Sequence, residues 1–273
     1  MLRLILRPAT LSEWVNRYYP GAEAILLRSF RWSSLVVLAG DVGSGKTELA
    51  ETIGDLIARS EDMDLTLFPL SLATRGQGRV GEMTQLISQA FDYTFNEARR
   101  LQGESGQVRG GVILLIDEAD ALAQSRETTQ MHHEDRAGVN ALIRGIDRLG
   151  TASLPAAVIM CTNRLGALDP AVQRRALDIL TFQRPNGEMR WAVLSPVLER
   201  FGLSAEQIKV VVQATGASDS RAYGFTFSDL TQRLIPTILL EAYPDRAVDA
   251  QNAVETARRM VPTPPFRGGA STP

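Results

Sequence analysis

The sequence has one cysteine, two lysines and no long apolar run. Its single cysteine, Cys161, cannot form a disulfide within the chain. No apolar run reaches the ~18 residues that would predict a membrane-spanning helix. The first seven residues are too short and too rich in arginine for a signal peptide. We therefore expect a cytoplasmic protein that does not contact a membrane.

Net charge and chain length indicate the kind of partner and the number of domains to expect. The formal net charge is −2, which gives no general attraction to nucleic acid, so a nucleic-acid partner is not expected. A chain of 273 residues can form one large domain and one small domain. Of its 29 basic residues only Lys46 and Lys209 are lysines, which suggests that these positions need a compact ammonium group.

Residues 40–47 read Gly-Asp-Val-Gly-Ser-Gly-Lys-Thr and match the phosphate-binding pattern G-x-x-x-x-G-K-[ST]. The apolar run 35–38 predicts a buried strand before the loop, and the periodicity of 47–60 predicts a helix after it. In this context the backbone N–H groups and Lys46 face phosphate oxygens, and the Thr47 hydroxyl can bind Mg²⁺. The pattern predicts an ATP-binding loop whose nucleotide contacts come from Asp41, Val42, Gly43, Ser44, Gly45, Lys46, Thr47 and Glu48.

A second motif is acidic and follows another apolar run. Residues 112–116 are all Val, Ile or Leu, as in a buried strand, and Asp117 and Glu118 come directly after them. In phosphate-loop enzymes an acid at this position holds Mg²⁺, so Asp117 is predicted to share the metal with Thr47. Glu118 would accept a proton from the attacking water or orient it, which indicates ATP hydrolysis. Without the phosphate loop, the two acids could equally be a capping pair at a strand end.

Two further groups are candidates for the catalytic machinery. After the apolar run 157–162, Asn163 would lie beside the phosphate loop and could position the attacking water. In isolation Asn163 could also be a turn residue. The Asp-Pro pair at 169–170 is typical of a helix start, and Arg174 and Arg175 would end that helix. These arginines could pair with the helix dipole, or reach the ATP of a neighbouring subunit in a ring.

Together, the order of these motifs resembles that of the AAA+ ATPases, where they are called Walker A, Walker B, sensor 1 and the arginine fingers. The resemblance covers about residues 30–245 and is to the protein-remodelling clade. It implies an α/β fold with a phosphate-loop NTPase domain at 1–185, a parallel five-stranded sheet between helices, and a small C-terminal helical lid domain at 186–262. A disordered tail is expected at 263–273. The expected strands lie near residues 35–39, 65–70, 112–116, 157–162 and 178–182.

The resemblance also implies an assembly and a kind of partner. AAA+ remodellers form homo-oligomeric rings, so a hexamer acting on a protein substrate is expected. Residues 136–147, Arg-Ala-Gly-Val-Asn-Ala-Leu-Ile-Arg-Gly-Ile-Asp, are similar to the R-x-V-N-A-x-L-x-x-I-D helix of checkpoint AAA+ ATPases that remodel HORMA-domain proteins. Bacterial relatives of these ATPases belong to cyclic-oligonucleotide anti-phage defence systems. The alternative is an ordinary amphipathic helix common to many AAA+ proteins.

Two features depart from the AAA+ pattern. Arg79 stands where remodelling ATPases carry a pore-loop aromatic, so Arg79 and Val80 are predicted to grip the substrate through stem packing and hydrogen bonds. No arginine occupies the sensor-2 position, for which Arg221 or Arg233 could compensate. Two other functions stay open: a nucleic-acid-associated ATPase such as a transposition helper or loader, and a docking switch that binds its partner when loaded with ATP.

Overall fold

The computed structural model describes residues 1–21, 33–71, 82–102, 108–122, 133–219 and 221–266. The chain begins with two helices, α1 (Leu2–Leu6) and α2 (Ala9–Tyr18). Strands and helices then alternate: β1 (Leu35–Gly40), α3 (Lys46–Glu61), β2 (Asp64–Ser71), α4 (Glu82–Gln102), β3 (Gly110–Asp117), α5 (His133–Ala152), β4 (Ala156–Thr162), α6 (Pro170–Gln173) and β5 (Ala176–Phe182). Helices follow: α7 (Gly187–Leu198), α8 (Ala205–Ala214), a π-helical turn (Asp229–Leu234), α9 (Ile235–Ala242) and α10 (Ala250–Arg259). None of the described helices has the length and apolar character needed to cross a bilayer.

The five strands form one sheet in the order β2-β3-β4-β1-β5. β4 lies between β1 and β3 and runs parallel to both, and β2 runs parallel to β3. Parallel strands end on the same side of a sheet, so the carboxyl ends of β1, β3 and β4 meet at one edge. Each predicted strand is present, with bounds within two residues of those expected, and the predicted α/β fold is confirmed.

Burial explains why these segments are strands. β1, β3 and β4 are buried at almost every position, as expected of parallel strands that are covered on both faces. β2 and β5 lie at the edges of the sheet and are only partly buried. Pro69 is in β2, where its missing N–H group is tolerated because an edge strand has an unpaired side. The unbroken apolar runs of the sequence are therefore the interior strands.

The structure divides into two compact units, of which the first contains residues 1–39 and 47–181. Its apolar core includes side chains of the sheet and of the two long helices α4 and α5, such as Phe91 and Leu142. Gly145 of α5 faces α4, and a Cβ at this position would overlap the ring of Phe91. The two helices are therefore packed at close range.

A buried carboxylate attaches α1 to the first unit. Arg3 and Arg7 form ion pairs with Glu61 at the end of α3, whose side chain is only 4% exposed. Arg7 also donates to the carbonyl oxygen of Glu61. Because a buried carboxylate without a partner is costly, these contacts favour one placement of α1 beside α3.

The second unit contains residues 40–46 and the chain from Phe182 onward. Side chains cap the starts of its helices: Asn186 caps α7, Ser204 caps α8 and Asp249 caps α10. These elements surround an apolar core that includes Leu194, Ile208, Phe225, Leu230 and Ala253. The predicted helical C-terminal part is therefore present. Residues 40–46 group with it, although the sequence placed them in a 1–185 domain, and the boundary at 186 stays a prediction.

Residues 263–266, at the start of the predicted disordered tail, make specific contacts in the structure. Thr263 donates to Asp229 through its backbone N–H and its hydroxyl, at 3.0 and 2.7 Å. The amide of Phe266 donates to Asp41 Oδ1 at 3.0 Å. The disordered tail at 263–273 stays a prediction, and the hydrogen bonds of Thr263 and Phe266 are contacts that composition does not reveal.

Candidate nucleotide-binding site

The phosphate loop connects β1 to α3, and its shape depends on glycine. Gly43 has a φ of +70°, which favours glycine, and a Cβ there would lie 2.8 Å from Thr226 Oγ1 and 2.9 Å from Ser228 Cβ. The Ser228 amide donates to the Gly43 carbonyl oxygen at 3.2 Å. A Cβ at Gly40 would overlap the carbonyl oxygen of Phe182. Close contacts inside the second unit therefore fix the path of the loop.

Lys46 stands at the start of α3 and is only 6% exposed. Its ammonium group donates to the carbonyl oxygens of Gly40 and Asp41, at 2.9 and 2.7 Å, and to Ser44 Oγ at 3.3 Å. A buried ammonium attracts anions strongly because little water screens its charge, and the helix start adds partial positive charge. The loop therefore presents a focused positive charge that suits the phosphates of a nucleotide.

The other loop residues predicted to contact the nucleotide differ in exposure. Val42 is 39% exposed, and its amide donates to Asp41 Oδ1 at 2.9 Å. Ser44 is buried, and Gly45 has a φ of +91°. Glu48 lies in the first turn of α3, where an acidic side chain interacts favourably with the helix dipole.

Thr47 and Asp117, which are far apart in the sequence, are in direct contact. The Thr47 hydroxyl, in the first turn of α3, donates to Asp117 Oδ2 at the end of β3 at 3.1 Å. Hydroxyl and carboxylate oxygens are ligands that Mg²⁺ prefers, so the chemistry of this pair fits a magnesium ion. Among the described residues, no group of three or more His, Cys, Asp or Glu could hold a metal. A magnesium ion here would therefore need phosphate oxygens and water as further ligands.

Glu118 follows Asp117 and has an uncommon backbone conformation. Its φ is +54°, which is rare for a residue with a side chain, and the residue is exposed. Its amide donates to Asp117 Oδ1 at 2.8 Å, which fixes the two acids relative to each other. Strained positions of this kind occur preferentially at functional sites. The Glu118 carboxylate is accessible to water and adjoins, in the chain, the acid that fits magnesium.

Asn163 follows β4, whose last residue, Thr162, is paired with Ala39 of β1. The topology therefore brings Asn163 to the edge of the sheet at which β1 also ends. Asp120 Oδ1 accepts hydrogen bonds from the backbone N–H of Asn163 at 3.3 Å and from the Thr162 hydroxyl at 3.4 Å. Asp120 links the end of β4 to the turn after β3. Asp120 lies three residues after Asp117 and was not among the predicted site residues.

The two candidate arginine fingers have different surroundings. Arg175 Nε and Nη2 donate to the two carboxylate oxygens of Asp147 at 2.7 and 2.9 Å, and its Nη1 donates to the Ala171 carbonyl oxygen at 3.0 Å. The hydrogen bonds to Asp147 raise the pKa of Arg175 above its ordinary value. Arg174 is exposed, and its Nε donates to the Pro170 carbonyl oxygen at 3.2 Å. Arg174 is therefore the more accessible of the two.

Arg221 and Arg233, the suggested substitutes for a sensor-2 arginine, both bind groups of the second unit. Arg221 donates to the carbonyl oxygens of Gly216 and Ala257 at 3.1 and 3.2 Å. Arg233 donates to Asp229 Oδ1 at 2.6 Å. These contacts give both guanidinium groups a structural role within the unit, and they do not support the suggestion that either contacts a nucleotide.

Arg184 is a basic residue that contacts the phosphate loop and was not among the predicted site residues. Arg184 Nε and Nη2 both donate to Asp41 Oδ2, at 2.9 and 2.7 Å. The two residues are 143 positions apart, and arginine is common in this chain, so no local pattern marks the pair. The pore-loop candidates, Arg79 and Val80, lie outside the described residues.

Comparisons with known proteins agree with this geometry. Residues 36–184 match the model of the ATPase family associated with various cellular activities (AAA). The chain is 61% identical over 266 residues to CD-NTase-associated protein 6 of Escherichia coli (strain MS 115-1), an alignment that covers 97% of this chain and 86% of that protein.

Two solved structures have similar chains. The structure of the E. coli MS115-1 HORMA:CdnC:Trip13 complex contains a chain that matches with a TM-score of 0.85 and 61% identity, covering 97% of this chain and 86% of that one. The structure of Rhizobiales Trip13 matches with a TM-score of 0.73 and 52% identity, covering 97% and 87%. Family match, fold and phosphate loop agree: this chain belongs to the AAA family and is an ATPase.

Proposed function

We propose that this ATPase uses the energy of ATP hydrolysis to remodel a HORMA-domain protein in a bacterial cyclic-nucleotide anti-phage defence system. The observation that carries the proposal is 61% identity, over 97% of the chain, to a chain in a structure described as a HORMA:CdnC:Trip13 complex. The helix at 136–147 supports it as well, since it resembles the corresponding helix of HORMA remodellers. In this proposal the protein works in the cytoplasm and contacts neither a membrane nor nucleic acid.

Lys46 and the backbone of the phosphate loop would hold the outer phosphates of ATP. Entering phosphate oxygens would replace the Gly40 and Asp41 carbonyl oxygens and Ser44 as acceptors of the Lys46 ammonium. The exchange is favourable because phosphate oxygens carry negative charge and attract the ammonium more strongly than the neutral carbonyl and hydroxyl acceptors do. Thr47 and Asp117 would hold Mg²⁺, which neutralises negative charge on the phosphates.

Glu118 would accept the proton of the attacking water, and Asn163 would position that water. The exposure of Glu118 and the fixed orientation of its amide on Asp117 support the first role. The hydrogen bond from the backbone N–H of Asn163 to Asp120 supports the proposed role of Asn163, because it restrains the backbone that carries the Asn163 side chain. Attack of water on the γ-phosphate breaks its bond to the diphosphate and gives ADP and phosphate.

A neighbouring subunit would complete the site. Arg174 is exposed at the end of α6, so it would reach the ATP of the next subunit and stabilise the charge that develops on the phosphates. Arg175, bound to Asp147, would fix the position from which Arg174 extends. A closed ring, which we propose to be a hexamer as in related remodellers, gives each Arg174 a neighbouring nucleotide.

The substrate would be gripped at the pore-loop position by Arg79 and Val80. A guanidinium group can donate to backbone carbonyl oxygens, and its apolar stem can pack against a threaded segment. Changes in the nucleotide state of each subunit would move this position and pull on the HORMA-domain protein.

The HORMA–CdnC pair of E. coli MS115-1 is a suitable probe, because it was solved with a chain 61% identical to this one. The pair would be incubated with this protein and nucleotide, and separation of HORMA from CdnC would be followed by gel filtration. We expect separation with ATP and none with ADP. Glu118→Gln should bind ATP without separating the pair, since loss of a general base lowers turnover ~10²- to 10⁴-fold.

Two outcomes would contradict the proposed remodelling, and a third would contradict the role of the pore-loop position. Stimulation of ATP turnover by DNA, and not by the HORMA–CdnC pair, would favour a nucleic-acid-associated ATPase. ATP-dependent binding to the pair without its separation would favour a docking switch. Replacement of both Arg79 and Val80 by alanine should abolish separation, so undiminished separation by that variant would remove these residues from their role.

A further inference from the structure

The side chain of Asp41, the second residue of the phosphate loop, is bound on both carboxylate oxygens. Its Oδ2 accepts from Arg184 Nε and Nη2 at 2.9 and 2.7 Å. Its Oδ1 accepts from the amides of Val42 and Phe266 at 2.9 and 3.0 Å. Phe266 is 225 positions away in the chain. A loop acid is therefore held by residues of the distant C-terminal part.

Arg184 joins three segments of the second unit. Besides binding Asp41, it donates through Nη1 to the Gly224 carbonyl oxygen at 2.8 Å and through Nη2 to the Thr263 carbonyl oxygen at 2.7 Å. Its guanidinium carbon lies 4.8 Å from the centre of the Tyr223 ring. The Arg184 side chain is 15% exposed and that of Asp41 is 17% exposed, so little water screens their ion pair.

Residues 261–266, which we name the C-terminal strap, are held along their length. Thr263 donates twice to Asp229, whose side chain is completely buried. Arg233 donates to the Val261 carbonyl oxygen, at the start of the strap, at 3.1 Å. Phe266, the last described residue, contacts the loop carboxylate. The strap therefore has a defined path that ends at the phosphate loop.

The position and charge of Asp41 bear directly on nucleotide binding. Its carbonyl oxygen accepts from the Lys46 ammonium at 2.7 Å, so a shift of the Asp41 backbone would move the charge that binds phosphate. Its carboxylate is a negative charge on a loop that receives a polyphosphate, and like charges repel. Arg184 neutralises this charge, and the amides of Val42 and Phe266 stabilise it.

We propose that Arg184 and the C-terminal strap are positioning elements of the phosphate loop. They act through the carboxylate of Asp41, which they hold in place and whose charge they balance, and they thereby set the affinity for ATP and ADP. The inference rests on nucleotide binding by an AAA ATPase and does not depend on the proposed HORMA partner.

A double-mutant cycle between Asp41 and Arg184 tests the role of charge. Arg184→Gln leaves the Asp41 carboxylate without its cation, so the dissociation constant for ADP, measured by isothermal titration calorimetry, should rise roughly tenfold. Asp41→Asn removes the charge and keeps an acceptor for the Phe266 amide, so it should weaken binding less. The double variant should bind ADP more tightly than Arg184→Gln alone, because it contains no uncompensated carboxylate.

Arg190→Gln is the matched control, because Arg190 is another half-buried arginine of the same unit and donates to the Pro185 carbonyl oxygen at 2.8 Å. It should keep ADP affinity within about twofold of native, even where thermal stability falls. Native affinity in Arg184→Gln would overturn the proposal. So would a double variant as weak as Arg184→Gln, or an equal loss of affinity in Arg190→Gln.

The loss of one backbone N–H tests the strap. Phe266→Pro removes the donor to Asp41, whereas Phe266→Ala removes the ring and keeps that donor. Phe266→Pro should weaken ADP binding roughly three- to tenfold, and Phe266→Ala should bind like the native chain. A chain ending at Pro262 should lose at least as much affinity as Phe266→Pro.

Equal ADP affinity in Phe266→Pro and the native chain would overturn the role of the strap. Equal losses in the proline and alanine variants would do the same, because the ring and not the N–H would then be responsible. Failure of the HORMA–CdnC separation experiment would leave all of these ADP affinities unchanged, so the two proposals fail separately.

Discussion

Arg174 and Arg175 are adjacent in the chain, and single substitutions should separate their roles. Arg175→Ala removes the guanidinium group that donates to both carboxylate oxygens of Asp147. Because the Arg175 side chain is 34% exposed and solvent screens the ion pair, we expect a loss in the free energy of unfolding of only ~0.5–1 kcal/mol. Arg174→Ala should leave stability unchanged and lower ATP turnover on the order of 10³-fold. Urea denaturation and steady-state ATPase assays measure the two effects.

Asp147→Asn is the control for the ion pair, since it removes the negative charge of the same contact and leaves Arg175 in place. It should reproduce the stability loss of Arg175→Ala. A large loss of turnover in Arg175→Ala, together with native turnover in Arg174→Ala, would reverse the assignment of the finger.

The predictability of the site differs from residue to residue. Thr47 and Asp117 could be placed from the sequence because each follows a strand or loop with a local pattern, and the structure brings them into contact. Arg184 and Asp147 could not, because no local pattern marks either residue and their partners are 143 and 28 positions away. Nothing in a single sequence selects one acid among 31 for a given arginine. Such pairs depend on packing between distant segments.

At the scale of helices, α4 and α5 are packed so closely that one glycine is required. A Cβ at Gly145 would overlap the Phe91 ring. Alanine normally stabilises a helix interior by ~1 kcal/mol relative to glycine, but overpacking here should cost ~1–3 kcal/mol. We therefore expect Gly145→Ala to lower the free energy of unfolding measured with urea.

Gly54→Ala in α3 is the matched control for this prediction. A Cβ at Gly54 would lie 3.4 Å from Ile113 Cδ1, at van der Waals contact, so the substitution should be neutral or stabilising. A gain in stability at both positions would show that the α4–α5 contact relaxes without cost.

Elements with a repeated pattern were predictable, and a segment held by individual contacts was not. β1, β3 and β4 have unbroken apolar runs, and the structure places all of them inside the sheet. The C-terminal strap contains prolines, which are typical of disordered segments. It is nevertheless ordered, because Asp229 and Asp41 accept its hydrogen bonds. Composition predicts whether a segment can form a core, not whether a buried carboxylate will bind it.

At the scale of the whole molecule, acid should destabilise the second unit through one carboxylate. Burial would raise the pKa of Asp229, but hydrogen bonds from Thr226, Thr263 and Arg233 outweigh burial and lower this pKa below its ordinary value. A carboxylate with a lowered pKa in the folded state stabilises that state above its unfolded-state pKa. That stabilisation is lost as the pH falls through the folded-state pKa, so stability should decline below about pH 4.

Urea denaturation at a series of pH values checks this expectation. Asp229→Asn should be less stable than the native chain at neutral pH, because the charge-assisted bond from Arg233 is weakened. Its stability should decline less toward acid, because it lacks the titrating group. The same acid dependence in both proteins would assign the effect to other carboxylates.

Gly40 shows that a residue of a nucleotide-binding motif can be required for another reason. A Cβ at this position would overlap the Phe182 carbonyl oxygen at the end of β5, whether or not ATP is bound. Lys46 is needed for its charge, whereas Gly40 is needed for the approach of two strands. In a related protein that kept this fold but had lost catalysis, Lys46 could be substituted, whereas position 40 would still require glycine. A motif that keeps the glycine and lacks the lysine would therefore indicate this fold and not ATPase activity.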